Sequence, residues 1–327
     1  MKTYLITGAA GFIGFRFAEF CQNLGIKLIL VDKDEHFKSR PEHFSLLSDP
    51  HVEIMDRNVL PSQLGSGQLP HLDAIIHLGA CANTMESRAE YLDQMNLNYS
   101  KLLWNYASQK RIPLVYASSA ATYGDGQLGY VDDEKLIPQL KPLNLYGESK
   151  QKFDFWVLEE EKKGSSPPSW AGFKFFNVYG FGERHKEKMS SVILHAFDQI
   201  QTQGKVKLFK SHRPDILDGE QKRDFIAVED VIDVLQFALT QPVKRGIFNL
   251  GTGHARSFLD LTRAVFHALH LKETIEFIDT PIQIRDKYQY FTEAKMDKLR
   301  LAGYTKEFTS LEKGVETYIR KLTASHS

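Results

Sequence analysis

Cysteine is scarce: Cys21 and Cys81 are the only two among 327 residues. They make neither a disulfide framework nor a metal-ligand cluster, and so few thiols fit a reducing compartment with both side chains packed. Net charge is absent as well. The 41 basic side chains equal the 41 acidic ones, so no overall field favours nucleic acid or an acidic membrane surface. No stretch is long and apolar enough to span a bilayer. The opening "MKTYLITGAAGFIG" runs into a strand and turn without an apolar signal segment. These absences set the expectation of a soluble cytoplasmic protein with no nucleic-acid and no membrane partner. Repeats and low-complexity segments are also missing, and the softest stretch, "KKGSSPPS" at 162–169, reads as a surface loop.

What is present is a large apolar reserve, 42% of residues, enough for one big core or two unequal, interwoven ones. Short β-branched runs alternate with helical patterns: "TYLIT" (3–7), "KLILV" (27–31), "HVEIM" (51–55), "DAIIHL" (73–78), "IPLVYAS" (112–118) and "WAGFKFF" (170–176). That alternation predicts an α/β fold of βαβ units around a buried, doubly wound parallel sheet. After Asn177 the spacing loosens. A helical segment near 188–203 leads to the strand "KVKLF", a polar stretch over 210–225, a helix near 229–240 and the strand "GIFNLG". The tail has the pattern of two or three helices and one strand, "IEFI" at 275–278. A second, smaller lobe would be entered more than once by the chain.

The turn "ITGAAGFIG" follows the first strand and opens a helix, with Gly8, Gly11 and Gly14 three apart. Glycine there lets backbone N–H groups approach a pyrophosphate, and the helix N-terminus favours its negative charge. Asp32 closes the second strand, where an acidic group meets a ribose. These features predict a bound dinucleotide. Asp32 favours the free 2′-hydroxyl of NAD, whereas Lys33, Lys38, Arg40 and Arg57 offer cations for the 2′-phosphate of NADP. The residues alone leave both open.

"PLNLYGESK" puts Tyr146 and Lys150 on one helix face, behind a strand that ends in "YASSAATYG". An ammonium beside a phenol, with an oxidised nicotinamide nearby, favours the phenolate and lowers the tyrosine pKa, so the phenol can exchange a proton with a substrate hydroxyl. Ser119 is placed to hold the same hydroxyl. A second concentration of charge, Arg184, His185, Lys186 and Lys188, lies in "FNVYGFGERHKEKMSS" at 176–191. In a chain without charge excess, such a loop points to a local anion.

Taken together, "TGAAGFIG", "HLGA" (77–80), "SSAATYG" (118–124), "YGESK", "RDFIAVEDV" and "FNLGTG" resemble the extended short-chain dehydrogenase/reductase family over essentially the whole chain. The resemblance implies a Rossmann-like dinucleotide-binding domain of residues 1–176 plus about 225–252. It implies a discontinuous nucleotide-sugar-binding lobe of about 177–224 and 253–327. Tyr146 would be the acid/base, Lys150 its electrostatic partner and ribose contact, and Ser119 the substrate anchor. At the dinucleotide it implies Gly8, Gly11, Phe12, Ile13, Gly14, Asp32, Lys33, Arg57, Leu78, Gly79, Ala80, Asn96, Val178 and Lys186, besides Tyr146 and Lys150. Members that dehydrate a sugar carry an Asp-Glu pair directly after the position of Ser119. Here stand Ala120 and Ala121, which argues against a dehydratase and leaves an epimerase or a reductase.

Within the family, "HLGACANT", "KPLNLYGESK", "FKFFNVYGFGERHKEKMSSV", "LFKSHRPDILDGEQKRDF" and "KYQYFTEAKMDKLRLAGY" resemble the ADP-L-glycero-D-manno-heptose 6-epimerase subfamily, which makes the heptose donor for the lipopolysaccharide core. The implied reaction oxidises C6 of the heptose to a transient ketone with tightly bound NADP, NAD being the alternative, and returns hydride to the opposite face. Two faces need two proton-handling groups, Tyr146 and Lys186, with Arg184 and Lys188 as like-charge neighbours that ease proton loss from Lys186. The resemblance implies Asn177, Lys188, His195, Phe209, Lys210, Ser211, Arg223 and Tyr288 at the substrate. Arg223 would clamp the ADP phosphates, and Tyr288 would close over substrate or nucleotide. Two positions depart from the pattern, Arg184 where a glycine is usual and Lys188 where a serine is expected. A homo-oligomer, a pentamer, is implied as well. The competing readings are another nucleotide-sugar epimerase, for example one acting on UDP-sugars at C4, and a non-catalytic dinucleotide-binding regulator. Intact Ser119, Tyr146 and Lys150 weigh against the last.

Overall fold

The computed structural model describes all residues except 41–43, 242–244, 286–287 and 325–327. Its strands are β1 (Thr3–Thr7), β2 (Lys27–Asp32), β3 (Val52–Asp56), β4 (Ala74–His77), β5 (Leu114–Ser119), β6 (Trp170–Phe175), β7 (Asn177–Tyr179), β8 (Val206–Phe209), β9 (Lys222–Ala227), β10 (Gly246–Leu250), β11 (Ala255–Ser257) and β12 (Ile275–Ile278). Seven of them form one sheet in the order β10-β6-β5-β4-β1-β2-β3, and every pairing in it is parallel. Helices cover its faces, so the central strands are buried on both sides and read as continuous apolar runs, as in the fully buried β4 and β10. The expected doubly wound, Rossmann-like α/β architecture is the one found. Strand order reverses between β1 and β4, which opens a crevice at the carboxyl ends of the strands.

A second, smaller body holds the sheet β11-β9-β7 and the pair β12-β8. Its core is drawn from the helices Val192–Gln203, Phe258–Ala268 and Leu311–Ala324 together with these strands. Side chains alternate across a strand, and β9 uses this to serve both cores: Phe225 and Ala227 pack in the smaller one, Ile226 in the larger. Ala294, Met296, Leu299 and Tyr304 return to the larger core. Among the described residues no helix is long and apolar enough to cross a membrane.

The short strands β7, β9 and β11 depart from the sequence expectation. β9 begins inside the stretch that reads as polar, because its charged residues are satisfied internally: Asp224 accepts backbone N–H bonds from Thr252 (2.7 Å), Gly253 (2.9 Å) and Ala294 (3.0 Å). The helix expected from residue 188 begins at Val192. Before it lies a tight turn, Arg184–Met189, in which Glu187 takes φ 47°.

Candidate active site

A cavity of about 430 Å³ opens at the carboxyl ends of the central strands. The glycine turn after β1 forms one wall. Gly8 has φ 69°, and a Cβ there would meet the Gly79 nitrogen at 2.6 Å, while a Cβ on Gly14 would meet the Gly8 carbonyl oxygen at 2.1 Å. The turns after β1 and β4 therefore touch, and Gly79 N–H donates to Thr7 Oγ1 (3.1 Å). The helix Phe12–Asn23 starts at an extended Gly11 with no side-chain cap and no acidic residue in its first turn, which leaves its N–H groups open to an anion. The Asp32 carboxylate accepts from Ala10 N–H (3.1 Å) and Lys33 N–H (2.8 Å) and meets the His36 ring (2.9 Å). Beside it His36, Arg40 and Arg57 face the cavity. Lys33 turns instead to Glu35 (3.0 Å) and Lys38 to Asp34 (3.8 Å).

The catalytic pair stands on the helix Leu145–Lys162, which Asn144 caps by accepting from Gly147 N–H (2.8 Å). Gly147 lets that helix lie against the turn after β5, since a Cβ there would meet the Ala121 carbonyl oxygen at 2.7 Å. Ser119, Tyr146 and Lys150 thereby line one cavity. Burial raises the Tyr146 phenol above its ordinary value, and a hydrogen bond with Ser119 pulls the other way. Burial brings the Lys150 ammonium down to about 8, opposed by the charges of Asp154 and Cys81. The expectation of a lowered tyrosine includes an oxidised nicotinamide beside the phenol; in the protein by itself burial is the largest influence on Tyr146, and Lys150 Nζ donates to the Ala117 carbonyl (2.9 Å).

β7 brings Val178, and the loop after it His185 and Lys186, to the same cavity. Lys186 Nζ lies 3.6 Å from Glu183 Oε2 and 5.3 Å over the Phe12 ring. Glu183 is wholly buried and accepts from Ser191 N–H (2.7 Å), Ser191 Oγ–H (2.6 Å) and Gly180 N–H (3.3 Å). Arg184 points outward into a two-bond pair with Asp198 on the next helix, both at 3.0 Å, and Lys188 is exposed. The charge nearest Lys186 is thus an opposite one, because Asp198 captures Arg184.

Asn96 sits buried on the π-helical turn Asp93–Asn98. Its Oδ1 accepts from Cys81 N–H (2.7 Å) and its Nδ2 donates to the Cys81 carbonyl (3.0 Å) and Ser149 Oγ (2.9 Å). It fastens the β4 turn to the catalytic helix and does not itself line the cavity. Asn177, Lys188, His195, Phe209, Lys210, Ser211, Arg223 and Tyr288 also lie outside the lining. Several of these gather in a second group. The Arg223 guanidinium lies between the Phe258 and Tyr288 rings (5.5 and 5.7 Å) and donates to the carbonyls of Lys222 (2.8 Å) and Gln289. Tyr288 meets Tyr290 and His212 edge-on. Ser211 Oγ is 3.4 Å from the Tyr290 hydroxyl, and the Phe209 carbonyl accepts from Gln221. Lys210 pairs with Asp279 at the surface, Asn177 is exposed at the start of β7 and His195 is half-buried.

Sequence reasoning missed His36, which recurs four residues after Asp32, and the buried Asp154–Lys174 pair. The signals were present: Asp154 follows Lys150 by one helical step, and Lys174 is a lone cation inside "WAGFKFF".

A family model described as the NAD dependent epimerase/dehydratase family matches residues 4–251. The chain belongs to the NAD dependent epimerase/dehydratase family. Within that epimerase/dehydratase family it is 42% identical to the ADP-L-glycero-D-manno-heptose-6-epimerase of Fusobacterium nucleatum, over 98% of each chain. It is 44% identical to the protein of that name from Nitratidesulfovibrio vulgaris, again over 98% of each. The solved ADP-L-glycero-D-manno-heptose-6-epimerase of Helicobacter pylori is 28% identical, with TM-score 0.81 over 99% of this chain and 96% of that one. A nicotinamide dinucleotide, the cofactor of this epimerase/dehydratase family, fits the residues present. The side-chain-free contacts at Gly8 and Gly14, the uncapped helix start and Asp32 at the end of β2 are the features such a ligand needs.

Proposed function

We propose that the protein inverts C6 of the heptose in ADP-D-glycero-D-manno-heptose to give ADP-L-glycero-D-manno-heptose, with bound NADP, for lipopolysaccharide core precursor synthesis. One observation carries this reading in a chain related over its full length to proteins of that name: Tyr146 and Lys186, on different elements, line a single cavity with the glycine turn. A hydrogen on a carbon that bears only a hydroxyl is not acidic, so inversion requires oxidation. A nicotinamide held by the glycine turn and Asp32 would supply reversible hydride acceptance beside Tyr146 and Lys186, which is the chemistry that oxidation and re-reduction of C6 require. Tyr146 handles the hydroxyl proton in one presentation of the oxygen, steadied by Ser119. Lys186 handles it in the other. Lys150 supplies positive charge beside the phenol, against the burial that raises it.

Arg40 and Arg57 beside Asp32 support NADP over NAD. The Asp32 oxygens are already engaged by two backbone N–H groups and His36, and the guanidinium groups suit a 2′-phosphate. The group around Arg223 and Tyr288 would receive the ADP moiety. In the test, protein shown to hold NADP is given either epimer. The expected result is interconversion of both with no net consumption of cofactor, and no interconversion would sink the proposal. Faster turnover of a UDP-sugar would favour the other nucleotide-sugar epimerases. Arg57→Met should reduce the preference for NADP over NAD by about tenfold, as measured by the two dissociation constants, since one phosphate contact is worth roughly 1.4 kcal/mol.

A further inference from the structure

Beneath the cavity the helix Leu145–Lys162 carries a carboxylate that the proposed chemistry does not use. Tyr146, Lys150 and Asp154 follow one another at four-residue steps, so they share one helix face. Asp154 has no exposed surface, yet it is densely bonded: it accepts from Lys174 Nζ (2.7 Å), Ser118 Oγ–H (2.7 Å) and Tyr116 O–H (3.1 Å). Lys174, 1% exposed, donates its other bond to Thr122 Oγ1 (2.7 Å), and Thr122 Oγ–H donates to the Ser119 carbonyl (2.8 Å). One ion pair therefore joins β5, β6, the turn after Ser119 and the catalytic helix. Replacing such a pair by apolar residues is often no less stable, so packing alone does not explain its presence.

We propose that Asp154, held in place by Lys174, is a positioning residue that supplies the anion facing the buried Lys150 ammonium and fixes the backbone of Ser119. This rests on the reading that Lys150 acts as an ammonium beside Tyr146. Lys150 is itself buried and, among the described residues, donates only to a neutral carbonyl, that of Ala117, so a buried ammonium there needs a nearby anion. The groups facing it are few. Tyr146 and Asp154 lie on its own helix, His77 on β4, Cys81 on the following turn, Ser118 and Ser119 on β5, and Lys174 on β6 beyond Asp154. Of these Asp154 is the carboxylate, and its charge opposes the effect of burial on Lys150. Lys174 in turn gives the buried carboxylate its ion-pair partner at 2.7 Å.

The test reads Lys150 directly. In protein labelled with ¹³C-lysine, the Lys150 side-chain resonance is assigned by its absence in Lys150→Arg and followed through a pH titration. The wild-type midpoint is expected at about 8, and Asp154→Asn should lower it by about one pH unit or more. The alkaline limb of kcat should move down by the same amount. Should Asp154→Asn not fold, the neutral double variant Asp154→Asn/Lys174→Met replaces it and should shift the midpoint in the same direction. An unchanged midpoint in a folded variant overturns the proposal, as does failure of both variants to fold, which would make the pair purely structural. Because the resonance reports on Lys150 without substrate, a moved midpoint in a protein that does not epimerise ADP-heptose would sink the functional reading alone.

Discussion

At the scale of single residues, the proposed chemistry separates Tyr146 from Lys186. Tyr146→Phe removes the phenol proton but keeps the ring, and epimerisation is expected to fall by about 10²- to 10⁴-fold, the usual worth of a placed acid/base group. Lys186→Met should cost a similar factor, with cofactor still bound. Unchanged turnover in both variants would refute the assignment. A different residue is expected to contribute to acid stability. His77 is buried between Thr7 Oγ1 and Ser100 Oγ, each 2.7 Å away, and burial followed by the charge of Lys150 lowers its pKa from 6.5 to about 3. The folded state thus keeps it neutral where the unfolded chain protonates it. Its contribution is complete above about pH 6.5 and is lost as pH falls toward 3, at up to about 1.4 kcal/mol per pH unit. Denaturant midpoints between pH 4 and 7 (roughly the accessible range) should show this slope, and His77→Gln should flatten it. A slope identical in both proteins would exclude His77 as its source.

At the scale of elements, the loop between β7 and the helix Val192–Gln203 depends on Glu183. Glu183→Ala would leave Ser191 N–H and Gly180 N–H without their acceptor in a buried setting, at about 1–3 kcal/mol for each unsatisfied group. The expected outcome is a lower thermal midpoint together with faster proteolytic cleavage within 180–191. A midpoint equal to that of the unaltered protein would contradict the anchoring role. The sequence exposed this loop as a knot of cations but not its geometry. Short β-branched runs marked every strand of the large sheet; the inner strands read as apolar because parallel strands buried on both faces have no polar side to conceal them, whereas the edge strand β3 leaves Glu53 and Ile54 exposed. β9 stayed hidden because Lys222, Arg223 and Asp224 give it the composition of a loop, and only tertiary partners make those charges tolerable in a strand. Motif and spacing pointed to Tyr146 and Lys150, and the family resemblance to Lys186, and all three line one cavity, while the roles of Arg184 and Lys188 could not be read. Whether a cation faces a site or a surface carboxylate such as Asp198 depends on a neighbour set by the fold.

At the scale of the whole molecule, the two cores carry two separate groups of side chains, and under the proposed function each group would take one nucleotide. The cavity at the ends of the large sheet excludes the Arg223–Tyr288 group, which belongs to the segments around the smaller sheet. The two regions are nevertheless tied across the crevice. Gln289 Nε2 donates to the Gly124 carbonyl just beyond Ser119, and the Tyr130 hydroxyl donates to the Phe291 carbonyl (2.6 Å). A substrate that reaches from Arg223 to Tyr146 would span this junction. Arg223→Lys keeps the charge but loses the planar fork that stacks on aromatic rings and grips phosphate oxygens in pairs. If the second group binds ADP, the dissociation constant of ADP and the KM for ADP-heptose should each rise about tenfold, equivalent to roughly 1.4 kcal/mol. The dissociation constant of NADP should not move, because no residue of that group touches its cavity. Calorimetric titration of the same preparation with each nucleotide distinguishes the cases. Equal weakening of both would mean that Arg223 acts through the fold, and an unaltered ADP affinity would place the adenine nucleotide of the substrate elsewhere.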